Sequence, residues 1–408
     1  MVTSATVFDG RRFISFMAFI GLSLSSWSAY PQSLERQRTD DRQRPRRVAT
    51  AENDSSSIAK ATYETEDVGE GDVVRVDTQL VSIPAAVTDI NGRALSKLRA
   101  DNFEVFEDGQ KQTVANFYAT NAPFEIALLL DTSASTQEDL ALITRAARVF
   151  IQALHPEDRV AVVAFNNSNQ KARVEVLTEL TADQQSLQTA IQNIGSSRGT
   201  PLYDALDQIV DLFRQPQPRE EMRGRQAIVA LTDGVDSSSN LELSEIRAKI
   251  LGSGLACYFI QVNTEDFVED RLVKDCGDSD HLTLSVKQLQ RYRRTFLPGA
   301  RAEDYERFCQ LGSFERMDIS RHLYNLARWE MKDLAQTTGG ANFYAANLLD
   351  ASVAFAEVAA QLGTQYSLGY YPTNKTRDGK FRLIRVELRG VEGQPHVRAR
   401  DGYFAPSM

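Results

Sequence analysis

The apolar positions of this chain follow two rhythms, and the change between them marks its organisation. From Val73 to Val87, β-branched residues are interleaved with polar ones, the period-two pattern of a strand with one buried face. Asn91-Gly92 is a tight-turn pair. Phe103-Glu104-Val105-Phe106 runs into Asp108-Gly109, a strong hairpin signal, and Thr113–Ala119 reads as the return strand. Residues 73–120 thus predict a small antiparallel unit, too short to be stable without packing on something else.

At Phe124 the rhythm changes. Ile126–Leu130, Val160–Phe165, Ala227–Leu231 and Ala256–Val262 are continuous apolar runs, as in strands buried on both faces. Val174–Leu177 reads as an edge strand. Between the runs, apolar residues recur at helical spacing: Leu140, Ile143, Ala147, Phe150 and Leu154, then Leu187, Ile191 and Ile194, then Leu202, Leu206, Ile209 and Leu212. Leu243–Leu251 is also helical. Residues 264–320 interrupt the alternation and predict an insertion of mixed helix and loop. Helix His322–Gln336, strand Asn342–Ala345 and helix Ala351–Leu362 resume it. Tyr366–Tyr371, Phe381–Leu388 and His396–Phe404 return to strand alternation. The fold class is therefore α/β: a doubly wound, mostly parallel, Rossmann-like sheet over 124–363. An antiparallel β unit built jointly by 73–120 and 365–408 is expected to flank it.

The N-terminal region follows neither rhythm. Arg11 and Arg12 precede an apolar run, Phe13 to Leu24, shorter than the ~20 residues a spanning helix needs. Small residues follow, so 1–28 predicts a signal peptide cleaved near Ser28–Ala29, with an uncleaved anchor as the alternative. The expected location is the periplasm or the cell exterior. No other window is apolar and long enough to span a bilayer. Residues 29–71 carry Arg36, Arg38, Arg42, Arg44, Arg46 and Arg47, then mainly acids, and almost no bulky apolar residue. They predict a disordered linker; a basic patch for anionic lipid or cell-wall polymer is the alternative.

Composition narrows the function classes. The 408 residues are 42% hydrophobic and 25% charged, an ordinary soluble globular balance. A net charge of −9 argues against general nucleic-acid binding. Three Cys are too few for a disulfide-built scaffold, and four scattered His suit no His-based metal centre. Cys276 and Cys309, both in the insertion, are a candidate disulfide in an oxidising compartment, the alternative being two free thiols. Cys257, in an apolar strand, reads as core.

In parallel sheets, ligands bind beyond the carboxyl ends of the strands. Asp131-Thr132-Ser133-Ala134-Ser135 follows the first apolar run, and Thr232-Asp233-Gly234 follows the third. Residues two apart in extended backbone point the same way, so Asp131, Ser133 and Ser135 can converge. Thr200 precedes Pro201, which suits a first helical position. Carboxylates and hydroxyls are hard oxygen donors, suited to Mg²⁺, with Mn²⁺ or Ca²⁺ as alternatives, rather than Zn²⁺.

This pattern resembles the metal-ion-dependent adhesion site of the von Willebrand factor type A domain, D-x-S-x-S followed by a Thr and an Asp: Asp131, Ser133, Ser135, Thr200 and Asp233. The strings LLLDTSAS, GTPLYDAL and ALTDG are similar to that family in the same order, and the likeness covers about residues 124–362, with 264–320 as a departure. The flanking segments Asp101–Gly109, Tyr366–Pro372 and Arg400–Phe404 resemble exported bacterial proteins in which a β-rich region brackets the A domain. The resemblance implies that the three hydroxyls bind the metal directly and the two Asp partly through water. A cation so ligated takes one more anionic oxygen, a Glu or Asp carboxylate of a protein partner. It implies an adhesion or interaction module and no catalysis. A metal-dependent hydrolase on the same sheet edge, or an envelope spacer with a vestigial site, are the alternatives. Neither a phosphate-binding G-x-x-x-x-G-K-[ST] loop nor a convincing G-x-S-x-G elbow supports the hydrolase.

Overall fold

The chain lays down four short strands first: β1 (Val81–Thr88), β2 (Phe103–Glu107), β3 (Gln110–Gln112) and β4 (Val114–Tyr118). The computed structural model describes residues 80–407 apart from Gly92, 120–122, Ala134, 136–139, 169–170, 215–224 and 279–280. The expected signal peptide (1–28), the linker (29–71) and the start of the Val73–Val87 strand lie outside the described residues. Strands and helices then alternate: β5 (Glu125–Leu130), α1 (Leu140–Ala153), β6 (Arg159–Ser168), β7 (Lys171–Thr181), α2 (Gln184–Gln192), α3 (Leu202–Arg214), β8 (Gln226–Thr232), α4 (Leu243–Ser253) and β9 (Ala256–Val262). Three helices follow, α5 (Glu265–Leu272), α6 (Val286–Phe296) and α7 (Ser313–Thr337), then β10 (Ala341–Ala345) and α8 (Ala351–Gly363). The chain ends in β11 (Gln365–Tyr370), β12 (Phe381–Leu388), β13 (His396–Ala399) and β14 (Gly402–Phe404).

The six-stranded sheet has the order β10-β9-β8-β5-β6-β7, parallel throughout except for the antiparallel β6–β7 pair at one edge. Alternate residues of β5 serve two apolar layers. Ala127 and Leu129 pack with α3, α4 and α7, while Ile126, Leu128 and Leu130 pack with α1 and α8. This is why β5 is apolar at nearly every position. The connections leaving β5 and β8 run to opposite sides of the sheet, through β6 and β9. The crevice at the carboxyl ends of β5 and β8 is thus the place where such folds bind ligands.

The β segments from both ends of the chain form two antiparallel four-stranded sheets, β13-β1-β11-β4 and β14-β12-β2-β3. They share a core of Val81, Ile83, Val105, Tyr366, Leu368, Tyr370, Ile384 and Tyr403, so the unit is a small sandwich rather than one sheet. Asp108 and Gly109 both have positive φ, 47° and 83°, the geometry of a two-residue hairpin turn. The return strand of that hairpin is Gln110–Gln112, not Thr113–Ala119; β4 crosses to the other sheet and pairs with β11. The last alternating stretch divides likewise. β13 pairs with β1 and β14 with β12, and the chain passes between sheets at Arg400-Asp401.

The end of the insertion also differs from the sequence reading. α7 starts at Ser313, well before His322, with Gly312 at its N-cap. Its early turns bury Arg316 and Ser320 rather than a regular apolar stripe, which hides them from a hydrophobic-periodicity reading. The insertion is packed on the core through Leu272, Leu284, Leu289, Tyr305 and Phe308. Cys276 and Cys309 are joined as a disulfide within it. Arg316 braces the same region, donating to the carbonyls of Leu311, Leu272, Lys274 and Cys309. Cys257 is buried in β9, and burial pushes its thiol up to about 12. Among the described residues, no helix is long and apolar enough to cross a membrane.

Candidate metal site

Asp131 is the first residue past β5, and its N–H still donates to the Leu231 carbonyl of β8 at 2.9 Å. Sheet hydrogen bonding therefore fixes the carboxylate at the crevice. Oδ1 accepts from the Ser133 N–H (3.0 Å) and Oδ2 from the Thr232 hydroxyl (2.6 Å). The Ser133 and Ser135 hydroxyls lie 3.1 Å apart, and the Ser135 hydroxyl donates to Asp233 Oδ2 at 2.8 Å. Four of the five candidate residues are thus one connected run of oxygens. Thr200 stands at the head of α3. Its N–H donates to the Ser237 hydroxyl (2.8 Å) and its carbonyl accepts from the Ser237 N–H (3.0 Å). Ser133, Ser135, Thr200 and Asp233 line one cavity.

The donor set fits a hard cation. Three hydroxyl-bearing and two carboxylate-bearing residues gather at the carboxyl ends of β5 and β8 and the start of α3, with no thiolate or imidazole among them. Asp131, Ser133, Thr200 and Asp233 are only 1–4% exposed, so a charge placed there is shielded from water. Burial, reinforced by the negative charge of Asp233, holds the Asp131 carboxyl well above the usual carboxylate range. Two buried carboxylates on neighbouring strand ends are a configuration that a bound cation relieves.

Two contributors escaped the sequence reading. The Thr264 hydroxyl donates to Asp233 Oδ2 at 2.8 Å and lies 2.8 Å from the Tyr324 hydroxyl, which itself reaches Asp233 Oδ2 at 3.5 Å. Thr264 follows the carboxyl end of β9, so the rule that found Asp131 and Asp233 applies to it as well. Tyr324 comes from the middle of α7 and carries no sequence signal beyond helical spacing. Gly234 lets these pieces meet. Its φ is +81°, and a Cβ there would lie 1.7 Å from Met331 Cε of α7. The other candidate pair lies apart from the site: Cys276 is exposed, and His281 Nε2 lies 3.3 Å from its sulfur.

Comparison with known proteins bears on this geometry. Residues 126–235 match the von Willebrand factor type A domain family. No curated protein matches the chain. Among solved structures, a von Willebrand factor type A protein from Catenulispora acidiphila is 13% identical with a TM-score of 0.38, over 80% of this chain and 75% of that one. An aerotolerance-related membrane protein from Bacteroides fragilis is 16% identical with a TM-score of 0.34, over 58% of this chain and 99% of that one. Proximal thread matrix protein 1 of the mussel byssus is 11% identical with a TM-score of 0.34, over 59% and 48%. Through the matched segment, which holds β5, α3, β8 and all five candidate residues, this chain carries a von Willebrand factor type A domain, a module of protein interaction and adhesion.

Proposed function

We propose that this chain is an exported binding protein in which Asp131, Ser133, Ser135, Thr200 and Asp233 hold one divalent cation that captures a carboxylate of a protein partner. The observation that carries this reading is the connected run of oxygens from Asp131 to Asp233 at the carboxyl ends of β5 and β8. Mg²⁺ suits these donors best, with Mn²⁺ or Ca²⁺ as alternatives. A bound cation supplies a concentrated positive charge for an anionic oxygen. The protein's own groups fix where that charge sits: Thr232 orients Asp131, while Thr264 and Tyr324 orient Asp233. Hydroxyl donors are neutral, so the cation keeps part of its charge for the partner. Export is supported by the charged and apolar pattern of the N-terminus and by a disulfide, which belongs to oxidising compartments.

Calorimetric titration of the full chain with Mg²⁺ and Mn²⁺ tests the site. Asp131→Ala and Ser133→Ala are expected to weaken binding at least about tenfold, roughly the 1.4 kcal/mol of one lost charged or hydroxyl ligand. Unchanged binding in both variants would remove the metal assignment. Capture of an envelope partner that chelator then elutes would establish the bridging role.

A further inference from the structure

Four of the five candidate metal residues line one recess, and the insertion supplies much of the rest of its lining. The cavity is small, about 100 Å³, room for one compact group rather than for a whole small-molecule ligand. One part of its lining is Ser133, Ser135, Thr200 and Asp233. Another part is apolar: Val268, Leu272, Leu282, Leu284 and, from α7, Leu323. An incoming carboxylate would meet apolar side chains beside the candidate metal residues.

We propose that this recess receives the C-terminus of a partner polypeptide ending in an aliphatic residue, the metal taking the terminal carboxylate and the apolar side taking the side chain. This rests on the metal reading above and names the carboxylate. A terminal Leu, Val or Ile carries both groups on one Cα, matching a metal and an apolar surface set side by side in a narrow space. A Glu or Asp side chain has no apolar group beside its carboxylate and leaves that surface uncovered. A separate observation points to a ligand: the Ser320 hydroxyl on α7 lines the same cavity, is 1% exposed and has no hydrogen-bond partner among the described residues. Buried hydroxyls are ordinarily paired. The amide next to a terminal residue would supply the missing partner. Arg198, exposed among the lining residues, adds positive charge that favours an anionic chain end.

The apolar side is tied to the metal residues rather than hanging free. The Ser285 hydroxyl, at the N-cap of α6, donates to the Ser237 carbonyl at 2.7 Å, and the Ser237 hydroxyl accepts from the Thr200 N–H. A recess held in place before the ligand arrives avoids the cost of ordering it on binding.

The test uses fluorescence anisotropy of labelled Gly-Ser-Gly-Ser-Leu with the full chain and Mn²⁺. The free-acid peptide is expected to bind and to be released by chelator. C-terminal amidation, or Gly in place of the terminal Leu, is expected to weaken it about tenfold or more, the scale of one buried aliphatic side chain or one charge contact. An amidated peptide with an internal Glu is expected to bind no better than the amidated Leu peptide. Free 4-methylpentanoate is expected to compete only at much higher concentration. Ser320→Ala and Leu282→Asp are expected to weaken the peptide several-fold, each read against its own Mn²⁺ isotherm, so that loss of fold is seen separately. Intact Mn²⁺ binding with equal affinity for free-acid and amidated peptides, or with preference for the internal Glu, overturns the terminus reading and leaves the metal reading standing. Preference for 4-methylpentanoate overturns the polypeptide source. Absence of Mn²⁺ binding overturns both readings.

Discussion

Asp236 caps the start of α3, three residues past the candidate metal residue Asp233. It is buried, its Oδ2 accepts from the Leu202 N–H at 2.9 Å, and the Ser239 hydroxyl donates to the same oxygen. These bonds favour the charged form, yet desolvation outweighs them and pushes the carboxyl from 3.8 up to about 6. A carboxyl whose folded pKa is raised holds its proton more tightly when folded. Its contribution is therefore fully stabilising below pH 3.8 and is lost as pH rises through about 6. The difference amounts to about 3 kcal/mol. Urea unfolding across pH 4 to 7 should show the wild type losing this much relative to Asp236→Asn, which keeps an acceptor for Leu202 and drops the charge. Parallel stability profiles for the two proteins would contradict this account. Single residues of the site are legible in sequence to the extent that strand ends are. Asp131, Ser133, Ser135 and Asp233 stand directly after apolar runs, and Thr200 directly before a helix. Tyr324 reaches Asp233 from ninety-one positions away in sequence, a distance that periodicity cannot bridge.

At the scale of elements, the insertion is the piece that sequence describes least, and it supplies part of the lining beside the site. Its helices are short or polar at their starts, so α5 and the first turns of α7 give weak periodicity. The core strands gave the opposite: burial on both faces leaves little but apolar residues in β5, β8 and β9, and their ends were readable to within a residue or two. What orders the insertion is cross-linking as well as packing. The disulfide spans 33 positions, and closing a loop of that length removes unfolded-state entropy worth about 3–4 kcal/mol. The double variant Cys276→Ser, Cys309→Ser should lose stability on that scale in denaturant titration. Arg316 still bonds four carbonyls around the same gap in that variant. Native structure should therefore persist, with faster amide exchange concentrated in residues 272–284. A loss below about 1 kcal/mol would mean that the loop is already constrained in the unfolded chain.

At the scale of the whole molecule, among the described residues, two buried arginines make hydrogen bonds that cross between the sandwich and the A domain. Arg225, before β8, donates to the Ala119 carbonyl and reaches the Leu362 carbonyl at 3.4 Å, with its guanidinium over the Phe124 ring. Arg400, at the passage between β13 and β14, donates to the carbonyls of Gly402 (2.9 Å), Ser82 (3.0 Å) and Leu251, the last belonging to α4. Burial alone pulls the Arg400 pKa down to about 10, so the guanidinium remains charged at neutral pH and depends on those carbonyls for solvation. The pairing of chain ends could be inferred from the small size of the first β segment. The crossing at Arg400 could not, because an Arg inside an alternating stretch reads as a solvent-facing position. Arg400→Met keeps the length and removes the donors, leaving carbonyls unpaired, which should cost about 3 kcal/mol or more. Because strands from both ends of the chain complete each sandwich sheet, and Arg400 joins that sandwich to α4, the wild type should unfold in one transition by circular dichroism and by Trp fluorescence. In Arg400→Met the midpoint should fall while the two probes stay coincident, since Arg225 still ties the parts. Separate transitions in the wild type would show that the sandwich and the A domain fold independently, and that the buried arginines fix orientation without coupling stability.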